Sequence, residues 1–266
     1  MRRALRIMLG LLAVAAVAGA TSCGSVPATS RPERPSPAVH ASPATPSLSP
    51  SASPSPSPAP APSPSPQTLT PGMSGAAVTQ LQLRLAALKY YPGPADGQFG
   101  SATLEAVWAF QEVQGLSPSG DVGPATWQAL AAPRPPVVLV PGGGDLRVEI
   151  NLADEVLVLY RGGQVALISH VSTGGGYYFC SQGACQYAVT PTGDFRTTVF
   201  MPGWITVPLG EMYNSVFFIG TAYAIHGDTY VPLQPVSHGC VRIPMDIAQF
   251  FYTLVPTPGT PVYIRG

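Results

Sequence analysis

From Gly24 to Gln67 the chain is Pro, Ser and Ala with few other residues, and Ser-Pro recurs many times. Such a segment lacks the apolar surface that would offset the entropy of ordering its backbone, and proline holds it extended. Its 44 residues, at about 3.1 Å each, reach on the order of 140 Å. The segment therefore reads as a spacer, and whatever folds in this 266-residue chain must fold outside it. The 32 prolines, too many for an average globular protein, are largely explained by it.

Ahead of the spacer, Arg2, Arg3 and Arg6 precede an apolar run from Ile7 to Ala20. At 14 residues the run is shorter than the roughly 20 needed to span a bilayer, so it reads as a secretory signal. It ends in Ala20-Thr21-Ser22-Cys23, which resembles a bacterial lipoprotein cleavage site with Cys23 as the acylated residue. The alternative is plain secretion, with Cys23 removed or free. A lipid anchor is the only membrane contact expected. Formal net charge is zero, charged residues are 10% and Lys89 is the sole lysine, so an electrostatic grip on nucleic acid or anionic lipid is not expected.

Beyond the spacer the pattern is helical. Val78, Leu81, Leu85 and Leu88 form one apolar stripe, Thr103 to Phe110 mark a second helix, and Trp127 with Leu130 a third. Asp96-Gly97 and Ser119-Gly120-Asp121 are turn signals between them, and Gly123-Pro124 suits a helix start. The elements Gly72-Met73-Ser74-Gly75, Leu81-Gln82, Asp96-Gly97-Gln98-Phe99-Gly100, Phe110-Gln111 and Asp121-Val122-Gly123-Pro124 resemble the bacterial peptidoglycan-binding module. The expectation is a small three-helix bundle over 68–132. Its apolar residues and glycines read one by one as core and turns rather than as ligand contacts.

Residues 133–145, with several prolines and Gly142-Gly143-Gly144, read as a linker. After them the period becomes two. Leu146, Val148 and Ile150 alternate with polar residues, and the apolar runs Val156–Tyr160 and Val165–Ile168 flank Gly162-Gly163. Further strands are expected near 196–199, 215–219, 223–226 and 262–264, with helical character only over 245–254. The predicted fold of 146–266 is mainly β with one late helix.

Within that region lies Ser237-His238-Gly239-Cys240-Val241-Arg242, preceded by Ile225-His226-Gly227. A thiol at its free pKa of about 8.5 is only a few per cent thiolate at neutral pH, so a nucleophilic cysteine needs an imidazole nearby. Gly239 permits a tight turn whose bare N–H groups could hold an oxyanion. A zinc site is a weaker reading. His226, His238 and Cys240 are only three ligand types, and no Cys-x-x-Cys supports them.

These residues, with Val171-Ser172-Thr173-Gly174, Thr190-Pro191-Thr192-Gly193-Asp194-Phe195 and 212–218, resemble the catalytic domain of the L,D-transpeptidases, the cysteine cross-linkers of bacterial peptidoglycan. The resemblance implies a mixed-sheet sandwich with no cofactor and no metal. It implies Cys240 as nucleophile, His226 as base, the Gly227 carbonyl orienting the imidazole, and N–H groups of His238, Gly239 and Cys240 at the oxyanion. It further implies Ser237, Arg242, Tyr213 and Trp204 at the substrate. The substrate would be a stem tetrapeptide, cleaved before its terminal D-alanine and transferred as a thioester to an acceptor amine. Two rivals use the same residues: an L,D-carboxypeptidase, in which water replaces the amine, and a wall-binding lipoprotein without activity. The chain departs from the family pattern in one respect. Only ten residues separate His226 from Ser237, so one wall of the pocket is short.

Cys180 and Cys185 lie in what looks like an insertion with Tyr177, Tyr178 and Tyr187. In a secreted protein a local disulfide is the leading reading, and two free thiols the alternative. Together these features predict a signal over 1–22, a spacer over 23–67, a peptidoglycan-binding unit over 68–132, a linker over 133–145 and a catalytic unit over 146–266. The enzyme would work at the cell wall, outside the cytoplasm, with peptidoglycan as its partner.

Overall fold

The computed structural model describes residues 67–266. The signal, Cys23 and the spacer up to residue 66 lie outside the described residues.

Among the described residues the chain starts with helices α1 (Ala76–Ala87), α2 (Ser101–Gln114) and α3 (Pro124–Ala131). In α1, Val78, Leu81, Gln82 and Leu85 are buried, the stripe that the 3.6-residue period dictates. The turns between helices are pinned from inside by two buried glutamines. Gln82 accepts from the Gly97 N–H at 2.9 Å and donates to Thr103 Oγ1 at 3.0 Å. Gln111 repeats the device, accepting from the Gly120 N–H at 3.0 Å and donating to the Asp121 carbonyl at 2.9 Å. A buried amide with its bonds made closes a turn firmly, and one left unpaired costs about 1–3 kcal/mol.

The β region opens with β1 (Arg147–Asn151), β2 (Val156–Arg161) and β3 (Gln164–His170). It continues through β4 (Tyr178–Ser181), β5 (Ala184–Tyr187), β6 (Gly193–Arg196), β7 (Phe200–Val207), β8 (Gly210–Ile219), β9 (Tyr223–Asp228) and β10 (Val241–Pro244). Helix α4 (Met245–Leu254) and β11 (Pro261–Arg265) follow. One sheet runs β3-β2-β1-β11-β6, a second β10-β9-β8-β7, and β4-β5 form a separate ribbon. The two large sheets and α4 enclose a core that includes Val148, Ile150, Leu157, Leu159, Ile225, Val241 and Phe251.

The run Val156–Tyr160 does not alternate because both its faces are covered. Leu157 and Leu159 enter the core between the sheets, whereas Val156, Val158 and Tyr160, with Ile168, join the core of the helices. The Ile168 N–H donates to the Lys89 carbonyl at 2.9 Å. Helical and β regions thus share a hydrophobic core. Residues 133–145 are a strap: the Arg134 N–H donates to Gln114 Oε1 at 2.8 Å, and the Leu139 N–H to Glu149 Oε2 at 2.8 Å. This explains the polar positions of β1. Arg147 and Glu149 are buried, paired at 2.7 Å, with the guanidinium 3.6 Å over the Tyr160 ring.

The strand expected near 196–199 is divided. β6 ends at Arg196, where the chain changes sheets: the Thr197 N–H bonds the Thr260 carbonyl beside one sheet and the Thr198 N–H bonds Phe217 of the other, each at 2.8 Å.

Candidate active site

β9 and β10 lie side by side and parallel, with Ile225 opposite Val241 and His226 opposite Arg242. This register brings the His-Gly element beside the end of the Ser-His-Gly-Cys turn. His226 is buried, and its Nδ1 lies 3.0 Å from the Gly227 carbonyl. A carbonyl only accepts, so this bond puts the ring proton on Nδ1 and leaves Nε2 bare. Gly227 is required by packing. A Cβ there would lie 2.6 Å from the Ala248 Cβ of α4.

The turn before β10 is closed by Ser237, whose Oγ donates to the Cys240 carbonyl at 2.6 Å and accepts the Gly239 N–H at 2.9 Å. Gly239 has φ 135°, and a Cβ there would meet the Tyr223 ring at 2.6 Å and the Val189 carbonyl at 2.8 Å. Because its N–H is spent on Ser237, Gly239 is not free to serve an oxyanion. Of the three N–H groups expected for that task, those of His238 and Cys240 remain candidates.

His226, Ser237, His238, Cys240 and Arg242 line one cleft of about 440 Å³. Its far wall is the turn from Val207 to Met212, and its rim includes Ser181, Gln182, Ala184 and Gln186 of the β4-β5 ribbon. Cys180 and Cys185 are joined as a disulfide across that ribbon. Phe179 and Tyr177 set their rings edge-on against His238 at centroid distances of 4.6 and 5.7 Å. The ribbon escaped the sequence reading because most of its residues are exposed, so it has no apolar alternation.

Arg242 Nε pairs with Asp228 Oδ2 at 3.1 Å, and its NH1 donates to the Tyr230 carbonyl at 3.3 Å. It therefore ties the short loop after His226 to β10. Tyr213 and Trp204 face one another at a ring distance of 5.2 Å, and neither lines the cleft. Tyr213 pairs with Gly227 across β8 and β9, on the strand next to the imidazole's own.

Burial pushes the Cys240 thiol above its ordinary value, against the pull of the Ala224 backbone N–H and the Arg242 charge. Burial also holds His226 below the usual imidazole range, with the Gly227 carbonyl opposing it. His238 is lowered by burial and by the Arg242 charge. Burial therefore favours a neutral thiol and a neutral imidazole within one cleft, with Nε2 unpaired. Among the described residues no group of three His, Cys, Asp or Glu side chains could hold a metal ion.

Several supporting residues were not singled out from sequence. Thr190 Oγ1 donates to the Gly239 carbonyl at 2.8 Å and accepts the Gly174 N–H at 2.9 Å. Glu155 accepts from the Thr173 N–H at 2.7 Å and its hydroxyl at 2.5 Å, while the Thr173 carbonyl accepts the Ser237 N–H at 2.8 Å. Thr173 and Thr190 lie inside the quoted motifs, whereas nothing local in the sequence marks Glu155.

Residues 145–264 match the L,D-transpeptidase catalytic domain, and 74–130 match the peptidoglycan binding domain. The crystal structure of an L,D-transpeptidase fragment from Xylanimonas cellulosilytica is 36% identical, with a TM-score of 0.71 over 76% of this chain and 100% of that one. This chain belongs to the L,D-transpeptidase family. A zinc D-Ala-D-Ala carboxypeptidase of Streptomyces albus G is 41% identical over 92 residues, or 33% of this chain. That match spans 35% of the carboxypeptidase. Family membership gives the cleft its setting: the Cys240 turn is part of a fold whose relatives include L,D-transpeptidases of known structure.

Proposed function

We propose that this protein cross-links peptidoglycan through a Cys240 thioester. The observation that carries the reading is the cleft that Cys240 and His226 both line, with Nε2 left bare by the 3.0 Å bond from Nδ1 to the Gly227 carbonyl. The substrate is a stem tetrapeptide. As the Cys240 sulfur bonds the carbonyl carbon before the terminal D-alanine, its proton passes to His226 Nε2. N–H groups of His238 and Cys240 hold the oxyanion, and Ser237 keeps their turn closed. The C–N bond to D-alanine then breaks, and the imidazolium returns the proton to the leaving amine. An acceptor amine attacks the thioester, His226 takes the amine's proton, and the freed sulfur recovers one. The energy of the cleaved amide is conserved in the thioester, so no nucleotide is consumed.

The surrounding organisation belongs to the same reading: a signal over 1–22, an anchor at Cys23, a spacer over 23–67, a wall-binding three-helix unit over 68–132, a connection over 133–145 and the catalytic unit over 146–266. The enzyme works outside the cytoplasm, at the wall. Arg242 keeps the cleft wall in place, and Tyr213 flanks β9 at Gly227 from the neighbouring strand, with Trp204 packed on Tyr213.

Incubation with a disaccharide-tetrapeptide, followed by mass spectrometry, tests this. Transpeptidation yields a dimer that has lost one D-alanine. Tripeptide alone would mean that water is the acceptor, and no product would mean a binding protein. Cys240→Ala abolishes every product, and His226→Ala slows acylation by about 10²–10⁴-fold. Retained activity in Cys240→Ala overturns the nucleophile assignment.

A further inference from the structure

His170, at the end of β3, is buried where the helical and β regions meet, and the cleft chemistry above makes no use of it. Its Nδ1 stands 3.2 Å from both carboxylate oxygens of Glu112 on α2, and its Nε2 stands 3.0 Å from the Pro232 carbonyl. The Pro232 carbonyl only accepts, so Nε2 carries a proton toward it, and one proton is shared between Nδ1 and the Glu112 carboxyl. The pair is dry: side-chain exposure is 0% for His170 and 8% for Glu112. Burial alone would pull the imidazole down, but Glu112, the Pro232 carbonyl and Glu155 outweigh it and hold His170 above its ordinary value.

Pro232 belongs to the short loop between His226 and Ser237. Arg242 grips that loop from the cleft side through Asp228 and Tyr230. Its far end is held by Ser172, whose Oγ donates to the Gln234 carbonyl at 2.8 Å. Between these clamps, the loop's middle rests on His170, and His170 rests on a helix of the peptidoglycan-binding region. A loop of only ten residues has little slack, so a displacement at Pro232 reaches Asp228 and Ser237 at its two ends.

We infer that Glu112 and His170 are positioning residues through which the peptidoglycan-binding region sets the cleft wall between His226 and Ser237. The inference rests on the reading of Cys240 as the nucleophile, and it gives the helical region a part in turnover in addition to wall attachment. The pair acts by geometry. With the His170 ring held by Glu112, the Pro232 carbonyl is fixed, Arg242 meets Asp228 in register, and the Ser237 turn closes on Cys240. Without Glu112 the ring loses its Nδ1 partner, the Nε2–H bond to Pro232 is no longer held in line, and the loop drifts.

The test uses the full chain with Glu112→Leu, which keeps the volume but removes the acceptor, and Glu112→Gln, which keeps one acceptor oxygen. Turnover of disaccharide-tetrapeptide is measured well below the melting temperature of each variant, together with hydrogen exchange over 228–236 and iodoacetamide alkylation of Cys240. Glu112→Leu is expected to lower kcat about tenfold with KM changed less than threefold. Exchange over 228–236 quickens in that variant, sedimentation with purified sacculi is unchanged, and Glu112→Gln falls between Leu and wild type. Wild-type kcat and loop exchange in folded Glu112→Leu overturn the inference. If Glu112→Leu does not fold, His170→Gln carries the test, because one amide cannot span both Glu112 and Pro232. Should the wild type itself yield no product, the transpeptidase reading fails, while loop exchange and Cys240 alkylation still decide this one.

Discussion

Ser237 and Cys240 are locked into one turn: the serine hydroxyl donates to the cysteine's own carbonyl at 2.6 Å and accepts the Gly239 N–H at 2.9 Å. The cysteine's turn is therefore closed by the serine side chain. Ser237→Ala leaves the buried Gly239 N–H unpaired, at a cost of about 1–3 kcal/mol. Turnover is expected to fall at least about tenfold, because the turn that presents Cys240 loosens. Thermal melts and steady-state rates check both, and a wild-type kcat would show that the turn closes without the hydroxyl.

The shared core bears on modularity. Deleting 67–132 uncovers Val156, Val158, Tyr160 and Ile168, which are buried against the helices. At about 1.5–3 kcal/mol for each side chain, the loss rivals the stability of a whole domain. The truncated protein is expected to aggregate or melt far below the full chain. A truncated form with an unchanged melt would mean that β2 and β3 tolerate an open face.

Cys240 alkylation by iodoacetamide should show no low-pH plateau. Burial pushes the thiol up and holds His226 below the usual imidazole range, which disfavours a thiolate–imidazolium pair before substrate binds. The rate therefore climbs with pH through and beyond neutrality. A flat rate from pH 5 to 7 would instead reveal a preformed ion pair.

Stability should fall as pH rises from 4.5 to about 7. Burial lifts both Glu105 and Glu155 from 4.5 to about 7 in the folded protein. Between those values the folded state holds protons that the unfolded state has released, so raising the pH favours unfolding. His226, lowered by burial, acts in the opposite direction, and its effect is felt on acidification below 6.5. Urea unfolding at pH 5 and pH 8 measures the difference. Glu105→Gln and Glu155→Gln should each flatten it, and equal stability at the two pH values in the wild type would contradict the account.

Much of this protein is legible locally. The 3.6-residue stripe of Val78, Leu81 and Leu85 marks α1, and the helix over 245–254 stands out by its own pattern. A candidate nucleophile, a candidate base and a tight glycine turn can be picked out in Ile225-His226-Gly227 and Ser237-His238-Gly239-Cys240, because such chemistry needs those residue types close together. Other features depend on contacts distant in sequence. Val156–Tyr160 reads as a buried strand, but that its second face is covered by a helical region follows only from packing between elements about 60 residues apart. Glu155 and His170 look like isolated polar residues until folding buries them, and their roles are set by Thr173, Glu112 and Pro232. Likewise, the Gly239 N–H looks free for an oxyanion until the turn closes and the Ser237 hydroxyl takes it. Composition and period specify which segments fold and where reactive side chains sit. The partner of each buried polar group is chosen by tertiary structure, because its hydrogen bonds must be found among whatever the fold brings within reach.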